Sequence, residues 1–551
     1  MAQAMKDRIA RSLFWVVWSR GAVQLISLLS TLVVARLLTP ADYGLMALAG
    51  VWTYAIALIG DLGLGAAIVQ FRDLDERELN ACFWLVVGMA GIGYLALYTS
   101  APAIASWFAS PLLADVLRVA GVSLLLISLR IVPDSLLRKR LALDRVSQAE
   151  VASMLATMPV VLGMAWAGAG VWALVAGALV MPLVQGVVSF WLVRWWPGLQ
   201  VGSRRLREIL RYSLAALGAR VGWVVYQQLD AVVLGKVFGE VVLGLYSMAK
   251  LLGTLPVDKI SVLANQLALP IMAGLQADRG AMRASFLRGL RLVACLTVPL
   301  CVGLALMADD FVHLVLAEKW GPMVPLLRVL CVLGLIRSLD VLLPPVLFAR
   351  YRAAFLFWWT GLLLLVMPFA FWAGAVWMGA LGVALTWVVV YPIIMAWMAR
   401  EALREIEISW TVILDQLRPV IVATLIMVAV VMIVRSTVTP ADFGGRLVRL
   451  VVAAIAGGAA YAAGIVLQGG VLVDEISEVV GGLALPFLRR PAAPLGDRGA
   501  GLGGHARRLS ASSALGPRRS NSLPLSANSA GVPTSALARI RGAWACRRWS
   551  A

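Results

Sequence analysis

Residues 19–49, SRGAVQLISLLSTLVVARLLTPADYGLMALA, overlie residues 219–249, ARVGWVVYQQLDAVVLGKVFGEVVLGLYSMA, without a gap. At this offset of 200, six of 31 positions are identical. Arg20 falls on Arg220, Val33 on Val233, Gly44 on Gly244, Leu45 on Leu245 and Ala49 on Ala249, and Arg36 is matched by Lys236. A second stretch also repeats: Leu117–Arg140 and Leu327–Arg350 share nine of 24 positions, opening on Leu-Arg-Val and closing on Arg. All four segments are hydrophobic, yet each carries a basic residue. A membrane chain made of two similar halves, each with a buried basic residue, has the architecture of a transporter whose site lies between the halves.

Composition agrees. Hydrophobic residues make up 61% of the 551 and charged residues 14%, whereas soluble chains of this size form several domains about a quarter charged. Apolar runs of bilayer-spanning length fall near residues 13–35, 43–69, 81–108, 116–133, 151–167, 171–193, 209–235, 241–270, 290–308, 324–348, 353–373, 378–399, 419–434 and 447–467. The expected fold class is all-α: a polytopic integral membrane protein of about 14 transmembrane helices, in two pseudo-symmetric six-helix bundles plus two C-terminal helices. Residues 1–198 and 199–405 form the bundles, 406–485 the two additional helices and 486–551 a tail. The split at Gly168-Ala-Gly170 and the last two helices are the least distinct, which leaves counts of twelve or thirteen open. Leu13–Ala35 is too long for a signal-peptide core and runs into Arg36 rather than a small-residue cleavage site, so it is expected to remain as the first span.

Lys and Arg give the orientation. With the N-terminus in the cytoplasm, the N-terminal stretch and the even-numbered loops hold 23 of them and the odd-numbered loops seven. Both termini are therefore expected to be cytoplasmic. The tail carries eleven arginines between Arg489 and Arg548 against one acid, Asp497, in a Pro-, Gly- and Ser-rich composition that offers little to bury. Attraction to anionic lipid headgroups accounts for that charge more simply than nucleic-acid binding. An extended or shifted reading frame is another account.

Charges inside spans cost roughly 2.5–3.5 kcal/mol each on insertion scales and are functional candidates by default. Arg20 and Arg220 stand out because they share a repeat position. Placed on opposite walls between the bundles, two guanidinium forks suit an anionic, phosphate-bearing ligand. Arg130 and Arg337 are expected to extend that basic surface, although position 340, not 337, aligns with Arg130. Asp61, Asp230 and Asp258 are the titratable candidates for ion coupling. Each charge also has a structural reading. Arg20 snorkels to the cytoplasmic face, Asp230 sits near the outer end of its span, Arg337 and Asp340 neutralise each other at i, i+3, and Asp258 and Lys259 belong to a polar kink after Pro256.

Enzyme chemistry finds little support. Gly60, Gly63 and Gly65 lie in a hydrophobic span with no strand before them, so they read as helix-packing residues and not as a dinucleotide loop. Two histidines, His313 and His505, cannot furnish a metal centre, and the five cysteines have no CxxC spacing. The longest loops between spans are roughly fifteen to twenty residues, too short for a folded enzyme domain. No catalytic residue, cofactor or metal is expected.

A family resemblance rests on particular phrases: Ala35-Arg-Leu-Leu-Thr-Pro-Ala-Asp-Tyr-Gly44, Gln228-Leu-Asp230, Leu234-Gly-Lys236, Leu243-Gly-Leu-Tyr-Ser-Met-Ala249, Pro270, and Glu318-Lys-Trp320 before Pro325-Leu-Leu. Over about residues 10–410 the chain resembles the polysaccharide transporters, the Wzx-type branch of the multidrug/oligosaccharidyl-lipid/polysaccharide (MOP) flippase superfamily. The resemblance implies flipping of undecaprenyl-diphosphate-linked oligosaccharide across a bacterial inner membrane for exopolysaccharide, capsule or O-antigen. It also implies membrane lipids and other polysaccharide assembly proteins as partners, and no nucleic acid. A multidrug or cation antiporter of the same fold would favour acidic and aromatic cavity walls, whereas the intramembrane charges here are at least half basic. A peptidoglycan-precursor flippase shares the diphosphate chemistry and stays open as an alternative. A membrane glycan polymerase or ligase would need a sizeable external loop.

Overall fold

The computed structural model describes residues 26–71, 73–140, 142–199, 206–439, 442–469, 473 and 475, all within one compact unit reaching to residue 489. Arg20 and the tail from 486 lie outside the described residues. Helices stand where the apolar runs predict spans. The first bundle has α1 (Ile26–Leu37), α2 (Pro40–Asp61), α3 (Leu64–Gln70), α4 (Glu76–Trp107), α5 (Leu112–Ala120), α6 (Val122–Lys139), α7 (Leu143–Trp166) and α8 (Val171–Val193). The second has α9 (Leu206–Gly274), α10 (Arg279–Leu306), the short α11 (Ala308–Phe311), α12 (Val324–Asp340), α13 (Leu343–Ala349) and α14 (Ala353–Glu405), followed by α15 (Trp410–Thr437) and α16 (Phe443–Gln468).

Among the described residues, ten helices are long and apolar enough to cross a membrane, and two of these are hairpins. In α9 the backbone turns at Gly239, with φ 78° and ψ −174°, a conformation that favours glycine. Tyr246 Oη then donates to Asp230 across the turn at 2.7 Å. Sixteen residues of straight helix would hold those side chains about 24 Å apart. In α14 the turn is at Gly379, φ 65°, and Trp359 Nε1 donates to Ile394 O at 3.0 Å, 35 residues on. Counting both arms of each hairpin, and adding α1 and the α12–α13 pair, gives the fourteen expected crossings. The outer faces are apolar: Trp377 is 90% and Trp166 86% exposed, as suits helices whose solvent is lipid.

Two local expectations differ. Helix α7 begins at Leu143, well before the apolar run near 151, because hydropathy marks only the hydrocarbon-embedded part of a helix and misses polar turns at its end. The backbone does not leave the helix at Pro256; it stays helical from Glu240 through it to Gly274. The last two helices attach to α10 and the turn after it. Arg291 is paired with Glu475 and bonded to Gln416, Arg449 meets the buried Asp310, and Arg435 Nη1 donates to Leu306 O at 2.7 Å. At the opposite end of the molecule, arginines from the loops tie neighbouring helices together: Arg350 to Glu405 at 3.2 Å, Arg352 to Glu401 and Glu405, and Arg279 to Glu407.

Candidate functional site

The repeated phrase around residue 40 builds the contact between the bundles. Thr39 caps α2 with Pro40 at its first position, and a capping box holds the turn. Thr39 Oγ1 accepts from Asp42 N at 3.3 Å, and Asp42 Oδ2 accepts from Thr39 N at 2.8 Å. The equivalent turn in the second half is Gly239. The helices leaving these two turns cross at their first turns, with Gly44 against the Glu240 carbonyl and Gly244 against the Pro40 carbonyl. A β-carbon on either glycine would overlap the facing oxygen. Residues 44 and 244, and residues 40 and 240, are repeat mates, so the contact is reciprocal, as at a two-fold axis.

Basic residues extend the same symmetry. Arg36, at the end of α1, donates from Nη1 to Leu314 O of the second bundle at 3.3 Å. Its mate Lys236 donates from Nζ to Trp107 O of the first bundle at 2.5 Å. Each caps the loop that follows the partner bundle's third span. Further bonds close the same end: Trp320 Nε1 to Ala35 O at 2.9 Å, Lys319 Nζ to Arg36 O at 2.7 Å, and Ser110 Oγ to Glu240 Oε2 at 2.7 Å. Trp320 also packs edge-on against Tyr43, with centroids 5.5 Å apart. Burial lowers the Lys319 ammonium from its ordinary range, and the Asp42 carboxylate opposes the shift. These residues form an interlocked clasp between the bundles.

The second polar region belongs to the second bundle alone. Asp230 is fully buried. Its Oδ2 accepts from Tyr246 Oη at 2.7 Å, Lys250 Nζ at 2.5 Å and Trp387 Nε1 at 2.9 Å, while Oδ1 accepts from Ala231 N at 2.8 Å. Lys250 also donates to Gln227 O at 3.1 Å. One and two turns further along α9, Thr254 donates to Asp258 at 2.7 Å, and Asp258 pairs with Arg337 at 3.2 Å. Asp340 is answered by the Tyr391 hydroxyl.

These partners revise the structural readings of the charges. Arg337 makes its salt bridge to Asp258, because helix α12 faces the second arm of α9, while the charge of Asp340 still attracts it from the same helix. Asp230 lies nine residues before the turn at Gly239, about 13 Å down the helix, and so deep in the bundle and not near a span's outer end. Arg130 ties to Asp134 within the first bundle at 2.7 Å, and Asp134 also accepts from Ser189 at 2.6 Å. Arg130 and Arg337 thus each have a carboxylate partner in their own bundle. Asp61 borders a small cavity with Gly60, Ser128 and Ile131, of roughly one water's size at about 10 Å³. Of the repeat pair, Arg20 lies outside the described residues, and Arg220 is placed on the first arm of α9 without its side chain being described.

Lys250 was legible as a charge in a span, but nothing in the sequence tied it to Asp230 and Trp387. That tie depends on the hairpin at Gly239. Glu240 lies in the repeat and Trp320 in a family phrase, but neither they nor Ser110, which lies in neither, carried a signal as clasp residues.

The family described as "Polysaccharide biosynthesis protein" matches residues 33–325, a span that contains the whole clasp. The teichuronic acid biosynthesis protein TuaB of Bacillus subtilis is 26% identical over 355 residues, 64% of this chain and 73% of that protein. The lipopolysaccharide biosynthesis protein WzxC of Escherichia coli is 26% identical over 351 residues, 61% of this chain and 69% of that one. The succinoglycan biosynthesis transport protein ExoT of Rhizobium meliloti is 25% identical over 361 residues, 64% and 71% of the two chains. Among solved structures, the lipid II flippase MurJ in an inward closed conformation superposes with TM-score 0.65 at 11% identity, over 82% of this chain and 98% of that one. An inward-facing multidrug resistance MATE family transporter of the MOP superfamily gives TM-score 0.54 at 17% identity, over 70% and 96%. At such identities the likeness is one of fold.

Proposed function

This chain belongs to the polysaccharide biosynthesis protein family, and on that premise we propose that it flips a lipid-linked oligosaccharide from the inner to the outer leaflet of a bacterial plasma membrane. The cargo is a polyprenyl-diphosphate-linked glycan, undecaprenyl diphosphate being the carrier, destined for exopolysaccharide, capsule or O-antigen. Relatives named for teichuronic acid, lipopolysaccharide and succinoglycan biosynthesis support that class. The observation that carries the mechanism is the reciprocal crossing at Gly44 and Gly244. A two-fold contact at one end of two bundles, with α3 packed on α9 away from it, acts as a hinge or as a gate, and rocking about it gives alternating access.

The moving bodies are residues 1–198 and 199–405, with 406–485 riding on the second through Arg291 and Arg449. Both termini face the cytoplasm, as the arginine-rich loops favour, which puts the clasp at the outer face. The work is translocation and not bond chemistry. Arg20 and Arg220 grip the diphosphate from opposite walls, and Arg130 and Arg337 extend the donor surface. Asp61, Asp230 and Asp258 are the acids on which ion coupling would act. A cation antiporter needs an unanswered carboxylate for its cargo, and Asp230 and Asp258 are answered by Lys250 and Arg337.

The test is the sidedness of lipid-linked oligosaccharide, probed on intact cells with a glycan-binding reagent. Cells lacking the protein should hold the glycan on the cytoplasmic face, and the wild-type gene should restore exposure. Arg20→Ala or Arg220→Ala should lower exposure at least about tenfold, with Lys rescuing partly. Wild-type exposure from the double alanine variant would remove the arginine grip. Normal sidedness without the protein would remove the flippase reading.

A further inference from the structure

The Asp230–Lys250 pair is not required by the fold. At the 200-residue offset its positions in the first bundle are Ser30 and Gly50, and Tyr246 falls on Met46. The same six-helix plan is therefore built there without the pair. In the second bundle the pair is also uneven. The Asp230 side chain is sealed at 1% exposure, whereas Lys250 keeps 22% of its side chain accessible. The ammonium stands at the boundary between the sealed carboxylate and a polar stripe of α9 that continues at i+4 with the buried Thr254 and at i+8 with the accessible Asp258. There Asp258 is 46% and Arg337 24% accessible. One turn before Asp230, the Gln227 Nε2 amide is buried with no hydrogen-bond partner among the described residues, a donor with no acceptor to answer it.

We propose that Lys250 is an exchangeable counter-ion, held by Asp230 when the site is empty and transferred to the diphosphate of the cargo when it is filled, with Gln227 supplying a neutral donor beside it. This rests on the flippase reading and adds a binding residue to it. Asp230, with Tyr246 and Trp387 still donating to it, serves as the parking place that keeps the ammonium extended and pre-oriented. The exchange replaces one carboxylate–ammonium contact by a phosphate–ammonium contact and forms no covalent bond. A competing intramolecular anion weakens cargo binding, which suits a carrier that must also release.

The pair predicts opposite signs for its two members. With detergent-purified full-length protein and undecaprenyl diphosphate as the probe, Lys250→Met should raise Kd by about tenfold, the loss of one charge-assisted hydrogen bond. Asp230→Asn should lower Kd, because it frees the ammonium, and Lys250→Arg should stay near wild type. Thermal unfolding of the same samples reports folding separately. A purely structural pair would lower Tm in both variants and weaken binding in both. Wild-type binding that Lys250→Met and Asp230→Asn weaken alike, or leave unchanged, overturns the exchange. Wild-type protein that binds no undecaprenyl diphosphate overturns the flippase reading and the exchange with it.

Discussion

The clasp is present twice and the buried ion pair once. In the clasp, Gly44 and Gly244 exchange places under a 200-residue shift, as do Pro40 and Glu240, and Arg36 and Lys236 perform the same capping in opposite directions. Around Asp230 the shift fails at every member, since Ser30, Met46 and Gly50 cannot make an ion pair. Duplication preserved what two bundles need in order to meet and part. It did not preserve what only one of them needs for a charged cargo. On the proposed mechanism the symmetric clasp serves motion, and the asymmetric pair adds to the grip assigned to the repeat mates Arg20 and Arg220.

The largest expected effect tests the symmetric half. Gly44→Leu or Gly244→Leu should abolish glycan exposure, each to a similar degree, because either side chain forces the facing carbonyl away. A severe loss from one and a mild loss from the other would break the equivalence. Next in size is the attachment of α16. Asp310→Ala leaves Arg449 buried and unpaired and should cost about 3–5 kcal/mol of stability, read as a lower Tm in detergent. This should move stability without moving the ligand's Kd, which separates a scaffold ion pair from Asp230–Lys250. Smaller again, Arg36→Ala and Lys236→Ala should each reduce transport by a similar factor of a few, since each removes one hydrogen bond to a carbonyl. The smallest is Trp320→Phe, which keeps the ring against Tyr43 and loses only the bond to Ala35 O, for about 1 kcal/mol.

The fold was legible because its signals are local. Apolar runs set the spans; Gly239 turns the chain between two runs that hydropathy already separated, and Gly379 at the very start of the run near 378–399. The clasp was half legible: the repeat aligned Arg36 with Lys236 and Gly44 with Gly244 but gave no hint that these residues touch the other half. The polar region was least legible. Asp258 and Arg337 are 79 positions apart, Asp230 and Trp387 157, and a charge in a span does not announce its partner. Proximity in sequence gave only part of the arrangement at Arg337 and Asp340: the two charges attract, but helix α12 presents the arginine to Asp258 of α9 and the aspartate to Tyr391.

One measurement tests the central claim, that cargo crosses only when the bundles part at the clasp. Ser110→Cys and Glu240→Cys replace a cross-bundle hydrogen bond, in protein whose native cysteines are replaced. Reconstituted in vesicles with a fluorescent lipid-linked oligosaccharide, the reduced protein should equilibrate the glycan between leaflets, as read by a membrane-impermeant quencher. Oxidation should arrest it and reductant should restore it. Equilibration that continues at full cross-linking would contradict the account.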